Sequence, residues 1–298
     1  MQTTNIDYSK QKLWMAAIKP PMYSVAIMPI VMGTAIAYTQ NHTINYGIFI
    51  TFLLSAILIL AWENLSNDVF DSETGIDENK RESLVNLTGN KSLIFGLGNL
   101  CLGLGILGIL NISWMQQDVM VIGIIVVACF LGYTYQGPPF RLGYQGLGEI
   151  ICFICFGPLG VTAAFYSQTQ SISISIMPVG IILGITTSII LFCSHFHQVK
   201  DDIKAGKKSP IVRMGTDTGA QVLKWVCVSI YVISGGFIFA GILPIWGLLI
   251  FASLPFAYKL VNFVEMYHNQ PEKVRTCKFL AVNLHFVSGV LLTLGLVL

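Results

Sequence analysis

Four oxygen-bearing side chains recur at helical spacing in the stretch Asn64-Leu-Ser-Asn67-Asp68-Val-Phe-Asp71. At about 100° per residue, Asn64, Asn67, Asp68 and Asp71 fall within a sector of about 100°, and Leu65, Val69 and Phe70 lie outside it. Two carboxylates and two carboxamides aimed in one direction make a hard oxygen donor set. Such a set suits Mg²⁺, which binds through one or two carboxylates and takes further ligands from substrate phosphates. A solvated helix end with incidental acids would account for Glu73, Glu78 and Glu82, but not for the one-sided Asn/Asp stripe. The stripe predicts a metal-binding helix face.

A second polar cluster reads His195-Phe-His197-Gln198-Val-Lys200-Asp201-Asp202. Read as a helix, it places His195, Gln198, Asp201 and Asp202 on one face and turns Lys200 away. Gly206 is a suitable stop, since a glycine often follows the last helical turn. Lys207, Lys208 and Arg213 come next, in a loop that could gather around phosphate oxygens. The two histidines are either polar residues near a membrane interface or members of the site. The oxygen-rich company disfavours a transition metal. A third candidate is the Pro- and Gly-rich loop from Tyr133 to Glu149, whose single basic residue is Arg141. Arg141 is either a charge anchor or a contact for an anion. Cys152 and Cys155 form a C-x-x-C inside an apolar run without a second pair, so they read as small buried hydrophobes.

The elements that must position these residues follow from composition. Of 298 residues, 54% are hydrophobic and only 11% charged, less than half the charged share of about 25% in a soluble domain. Soluble folding and intrinsic disorder are both disfavoured. The net charge of +2 leaves no basic excess for nucleic acid. Apolar windows predict nine spans, at residues 22–38, 46–62, 93–112, 119–135, 150–166, 176–195, 222–240, 245–261 and 279–298. Pro29, Pro158, Pro178 and Pro255 fall inside them, where neighbouring helices tolerate the kinks they impose. If the N-terminus is cytoplasmic, the loops 39–45, 113–118, 167–175 and 241–244 lie on the far side, and none contains Lys or Arg. All 17 basic residues then fall on the cytoplasmic side, as the positive-inside rule requires. The prediction is an all-α integral membrane protein, nine helices N-in and C-out, in a single domain 1–298.

Both acidic clusters then follow spans that end on the cytoplasmic face. The first, from Glu63 to Glu82, holds seven of the 15 acidic residues. The picture is a cavity among apolar helices, rimmed by carboxylates and cations. Metal and anion-binding groups over grease fit an isoprenoid diphosphate. Its allylic C–O bond ionises when a metal stabilises the leaving diphosphate.

The motif Asn64-x-x-Asn67-Asp68-x-x-Asp71-x-x-x-Gly75-x-Asp77 resembles the first aspartate-rich motif of the UbiA-type intramembrane prenyltransferases. Its N-L-x-N-D form is similar to their 1,4-dihydroxy-2-naphthoate branch, the MenA enzymes. Lys19-Pro20-Pro21 with Pro29-x-x-x-Gly33, Gly146-Leu-Gly148-Glu149, and Gly206-Lys207 with Val212-Arg213-Met-Gly215 also look like family signatures. The likeness extends over nearly the whole chain. One departure is Gln198, where the family's D-x-x-x-D second motif has its first aspartate; Asp202 is retained. The His195-Phe-His197-Gln198 version looks like the phylloquinone-pathway members, which attach a phytyl chain.

The resemblance implies a UbiA-like helical bundle with a cytoplasmic cap and a Mg²⁺-dependent transfer. The donor would be phytyl diphosphate and the acceptor 1,4-dihydroxy-2-naphthoate or its quinone, with CO₂ lost. It implies Asn64, Asp68 and Asp71 on one metal, and Asp202 with Asp201 and Gln198 on a second, Asp68, Asp71 and Asp202 being the catalytic acids. Asn67, His197, Lys80, Arg141 and Lys207 would contact substrate, the cations through the diphosphate. The alternatives are a menaquinone-type polyprenyltransferase with a longer donor and, outside enzymes, a membrane transporter, whose polar site would sit near the bilayer midplane.

Overall fold

The structure, a computed structural model, describes residues 10–76, 80 and 82–298. Asp77 and Glu78, noted in the first acidic cluster, lie outside the described residues. Every described element is helical. Among the described residues, nine long helices follow one another as α1 (Ser24–Asn41), α2 (Tyr46–Thr74), α3 (Lys91–Gln116), α4 (Met120–Gln136), α5 (Gly148–Thr169), α6 (Ile176–Lys204), α7 (Thr216–Phe239), α8 (Ile245–Tyr267) and α9 (Cys277–Val297). Each predicted span falls on one of them. Among the described residues, eight helices are long and apolar enough to cross a membrane. The remaining one, α4, has 17 residues and a length of roughly 25 Å, slightly short of a hydrocarbon core of roughly 30 Å.

Helix α2 runs on past its apolar window to Thr74, and α6 runs on to Lys204, so both polar clusters continue membrane helices. Gly206 follows α6 with a φ of +70°, the left-handed conformation that favours glycine. The prolines divide into two kinds. Pro178 lies in the first turn of α6, and Pro255 in the first turn of the α-helical part of α8, Leu254–Tyr267, which follows a 3₁₀ stretch Ile245–Ser253; at such positions a missing N–H costs little. Pro158 sits in a π-helical turn, Cys155–Leu159, that interrupts α5. Pro29 lies inside α1 and faces Gly160, whose added Cβ would come within 3.0 Å of the Pro29 ring.

The bundle is drawn together by small residues, as expected where lipid offers no hydrophobic drive between helices. A Cβ on Gly33 would lie 2.6 Å from Ala164 Cβ, so α1 and α5 cross nearly in contact. On the outside of α3, Leu93, Leu97, Leu100, Leu104 and Leu107 are all exposed at alternating spacings of four and three. So long an apolar stripe belongs in lipid.

The two ends of the bundle differ in chemistry. At one end the predicted Lys- and Arg-free loops are tied to each other by neutral hydrogen bonds. Gln40 donates to Ser173 at 2.8 Å, the Asn45 N–H donates to Gln168 at 2.9 Å, and Gln116 donates to the Ser167 carbonyl at 2.6 Å. The other end carries a cap of short helices, Lys10–Ile18, Leu84–Thr88 and Pro210–Met214, and charged side chains in ion pairs. There Glu73 takes Lys91 at 2.7 Å and Arg141 at 3.1 Å, and Arg275 pairs with Glu82.

Candidate active site

A cavity of about 330 Å³ opens beneath this cap, between α1, α2, α4, α5 and α6. Its floor is apolar, formed by residues such as Phe52, Ile59, Ile125 and Ile190. Its rim is polar and carries both signs of charge.

Helix α2 supplies the acid side. Asn64, Asn67, Asp68 and Asp71 all line the cavity, so the predicted one-sided face exists. Asp68 is fully buried. Its Oδ2 accepts a 2.8 Å hydrogen bond from the Leu84 N–H, which pins the short cap helix to α2. Its Oδ1 makes no hydrogen bond with a described residue and faces Lys80 Nζ at 3.6 Å and Lys19 Nζ at 3.9 Å. Asp71 Oδ1 accepts from Gln136 Nε2 at 2.9 Å and from the Tyr144 hydroxyl at 3.1 Å. Burial first, and the Asp71 carboxylate second, hold the Tyr144 phenol well above its usual range, so it is a donor at neutral pH. Thr74 Oγ1 lies 2.6 Å from the same phenol oxygen and fixes it.

This donor set fits Mg²⁺. Two carboxylates one turn apart and two carboxamides face one space, and an Asp68 oxygen is buried without a hydrogen bond. Among the described residues, no three His, Cys, Asp or Glu side chains converge on one point. Two carboxylates suffice for an ion that completes its shell from phosphate and water.

Helix α6 departs from its predicted face. His195 and Gln198 line the cavity, but Asp202 is buried behind its wall and Asp201 is exposed. The reason is position along the helix: Asp201 and Asp202 share the sector of cavity-lining Ile190, Ser194 and His195 but lie beyond Gln198, the last α6 residue on the wall. Asp201 is therefore not brought to the site. His197 is turned about 160° from His195 and is absent from the cavity wall. Arg141 is also outside the wall; its guanidinium is held by Glu73 and lies 6.0 Å from the Tyr144 ring centroid. Lys80 and Lys207 reach the cavity as expected.

Several residues at the site carry no motif of their own. Lys19 stands on the rim with a φ of +54°, an uncommon conformation for a residue with a side chain. It was visible only as the residue before Pro20-Pro21. Lys278 lines the cavity from the start of α9, with no spacing signal to mark it. Gln136 and Tyr144 lie within the Pro- and Gly-rich stretch 133–149, and Glu63 faces the cavity one residue before the Asn/Asp stripe. Of these, Tyr144 gives a direct test. Tyr144→Phe removes one hydrogen bond to a charged group, worth about 1.5–3 kcal/mol. It is expected to raise the KM for the isoprenoid diphosphate expected from the sequence about tenfold without loss of folded protein. Steady-state kinetics beside a thermal unfolding curve checks it, and an unchanged KM would detach Tyr144 from the positioning of Asp71.

Comparison with known proteins gives a consistent result. Residues 26–287 match the family described as the UbiA prenyltransferase family. The 2-carboxy-1,4-naphthoquinone phytyltransferase of Synechocystis sp. is 58% identical over 285 residues, 96% of this chain and 93% of that protein. The chloroplastic 2-carboxy-1,4-naphthoquinone phytyltransferase of Arabidopsis thaliana is 41% identical over 300 residues, 98% of this chain and 78% of that protein. Among solved structures, a UbiA homolog from Archaeoglobus fulgidus bound to GPP and Mg²⁺ superposes with a TM-score of 0.61 at 15% identity, covering 94% of this chain and 99% of that one. At that identity the likeness speaks for the fold alone.

Proposed function

This chain belongs to the UbiA prenyltransferase family, and from that premise we propose that it transfers a phytyl chain from phytyl diphosphate to 1,4-dihydroxy-2-naphthoate or its quinone, with Mg²⁺ as cofactor. The observation that carries the class is the cavity itself, an apolar floor under a rim of carboxylates, carboxamides and lysines. The choice of donor and acceptor is supported by the similarity to phytyltransferases.

In this reading Asn64, Asp68 and Asp71 hold the metal. Bound there, Mg²⁺ would neutralise the diphosphate as its allylic C–O bond breaks. Lys19, Lys80 and Lys207 add positive charge around the phosphate oxygens. The amides of Asn67 and Gln198 are neutral groups that can meet a developing positive charge without trapping it. The floor keeps water from the cationic carbon. The new C–C bond forms between an acceptor ring carbon and C1 of the donor, and the ring carboxylate leaves as CO₂, returning its electron pair to the ring. Nine spans in one domain 1–298, N-in and C-out, turn the rim to the cytoplasm. The separation of basic cap from Lys- and Arg-free loops supports that orientation.

The test is transfer by purified, detergent-solubilised protein. The acceptor is 1,4-dihydroxy-2-naphthoate, offered with phytyl, geranylgeranyl or a long polyprenyl diphosphate, in Mg²⁺ and in EDTA. We expect prenylated product with the phytyl donor and none after chelation. Product with the long chain alone would assign a menaquinone-type polyprenyltransferase. No product with any donor, from folded protein, would overturn the acceptor and favour a transporter.

A further inference from the structure

The two acidic clusters are not equivalent. On α2 the carboxylates face the cavity. On α6 the retained carboxylate, Asp202, has no exposed surface and no place on the cavity wall. Its charge is already met inside the protein. Oδ2 accepts a 2.6 Å hydrogen bond from Ser209 Oγ and lies 3.3 Å from His195 Nδ1. Oδ1 faces Lys207 Nζ at 3.8 Å and, like Asp68 Oδ1, makes no hydrogen bond with a described residue. The Asp202 carbonyl also accepts a 2.8 Å hydrogen bond from the Lys207 N–H, so backbone and side chain fix the same lysine. The other imidazole nitrogen of His195 lies 3.4 Å from Glu149 Oε1, and this holds the ring between two acids.

What this cluster presents to the cavity is an amide and a cation. Gln198 is neutral, Asp201 points outward, and Lys207 is almost completely buried yet lines the wall. Lys207 Nζ lies 5.6 Å from the centroid of the Tyr144 ring, whose hydroxyl donates to Asp71. One aromatic residue thus sits between the α2 acids and the α6 lysine. By contrast, the cations near Asp68 are less enclosed: the Lys19 and Lys80 side chains keep about a quarter of their surface exposed.

We infer that the site takes a single Mg²⁺, on the Asp68–Asp71 face, and that the opposite side of the diphosphate is met by Lys207, fixed by Asp202, in place of a second ion. This rests on the prenyl-diphosphate reading above. Asp202 is then a positioning residue and touches neither metal nor substrate. Asp202 Oδ1 makes no hydrogen bond with a described residue, but the carboxylate lies behind the cavity wall with Lys207 beside it, so a cation in the cavity meets Lys207 first. A neutral amide at position 198 binds a divalent ion weakly. A lysine reaches phosphate as a point charge and needs no metal to do so.

The test is an ion count at saturation. Free Mn²⁺ is followed by electron paramagnetic resonance while it is titrated into the full-length protein with geranylgeranyl S-thiolodiphosphate, which binds but reacts slowly. We expect one Mn²⁺ per chain, lost in Asp68→Asn. Asp202→Asn is expected to keep that ion, with its affinity changed less than twofold, while analogue affinity falls about tenfold. Lys207→Gln is expected to do the same, and it covers the case in which Asp202→Asn does not fold. Two ions in the wild type would overturn this inference and leave the prenyltransferase reading standing. No ion at all, with the analogue bound, would overturn the metal assignment of that reading.

Discussion

Asp68→Asn is expected to lower kcat for prenyl transfer by about a thousandfold and to leave a folded protein. The substitution keeps the shape of the side chain and an oxygen to accept the Leu84 N–H, so the anchor between α2 and the cap survives. It removes a charge that Lys80 and Lys19 face at 3.6 and 3.9 Å, on the helix face assigned to Mg²⁺. Losing a fixed electrostatic contact to a reacting group typically costs about 10²–10³ in rate, and here loss of the ion adds to it. Both lysines are partly exposed and can turn to water, so their desolvation does not unfold the site. Initial rates with the phytyl donor, beside a thermal unfolding curve, check the result. Activity within tenfold of wild type would remove Asp68 from the metal site. Asp201→Asn gives the contrast: that carboxylate is exposed and off the cavity, so activity within twofold of wild type is expected.

Gly157→Val should remove folded protein altogether or lower its thermal midpoint by more than about 10 °C. Gly157 lies in the π-helical turn of α5, where that helix meets α6. An added Cβ would run into the Gly180 carbonyl and lie 2.8 Å from Gly184 Cα and 3.0 Å from its nitrogen. All three obstacles are backbone, so no side chain can swing aside and the helices must part. Overpacking costs about 1–3 kcal/mol where side chains can adjust, and more is expected here. The same crossing sets the distance between Cys152 and Cys155 on α5 and His195 and Gln198 on α6, all on the cavity wall. Even a surviving variant would have a misshapen site. Gly123→Ala is the control, since nothing lies within 4 Å of the added Cβ. An unaltered midpoint for Gly157→Val, measured in the same detergent, would contradict this account of the crossing.

Much of this architecture is local information. An apolar window of about 20 residues has no stable home except lipid, and a helix there must satisfy its own backbone. Composition and periodicity therefore determined an all-helical membrane bundle and where its helices fall. They also determined that α2 presents Asn64, Asn67, Asp68 and Asp71 on one face, because phase is reliable over two turns of an uninterrupted helix. On α6 the phase holds as well, but Asp201 and Asp202 lie beyond Gln198, the last residue of that helix on the wall, and periodicity does not say how far along a helix a cavity reaches.

The partners of these residues were a matter for tertiary structure. Lys19 and Lys278 are separated by most of the chain, and nothing in their neighbours marks either as part of one cavity wall. The Tyr144 hydroxyl reaches Asp71 from a loop 73 residues away, and His195 reaches Glu149 from another helix. Whether a buried acid is open to a metal or spent on an internal cation depends on such distant neighbours. Asp68 and Asp202 look alike in the sequence, each an aspartate in a polar stripe on a membrane helix. One is left facing a cavity, the other is closed off by Ser209, His195 and Lys207. Electrostatics at a buried site is a sum over everything within a few ångströms, and only the packed bundle decides what those neighbours are.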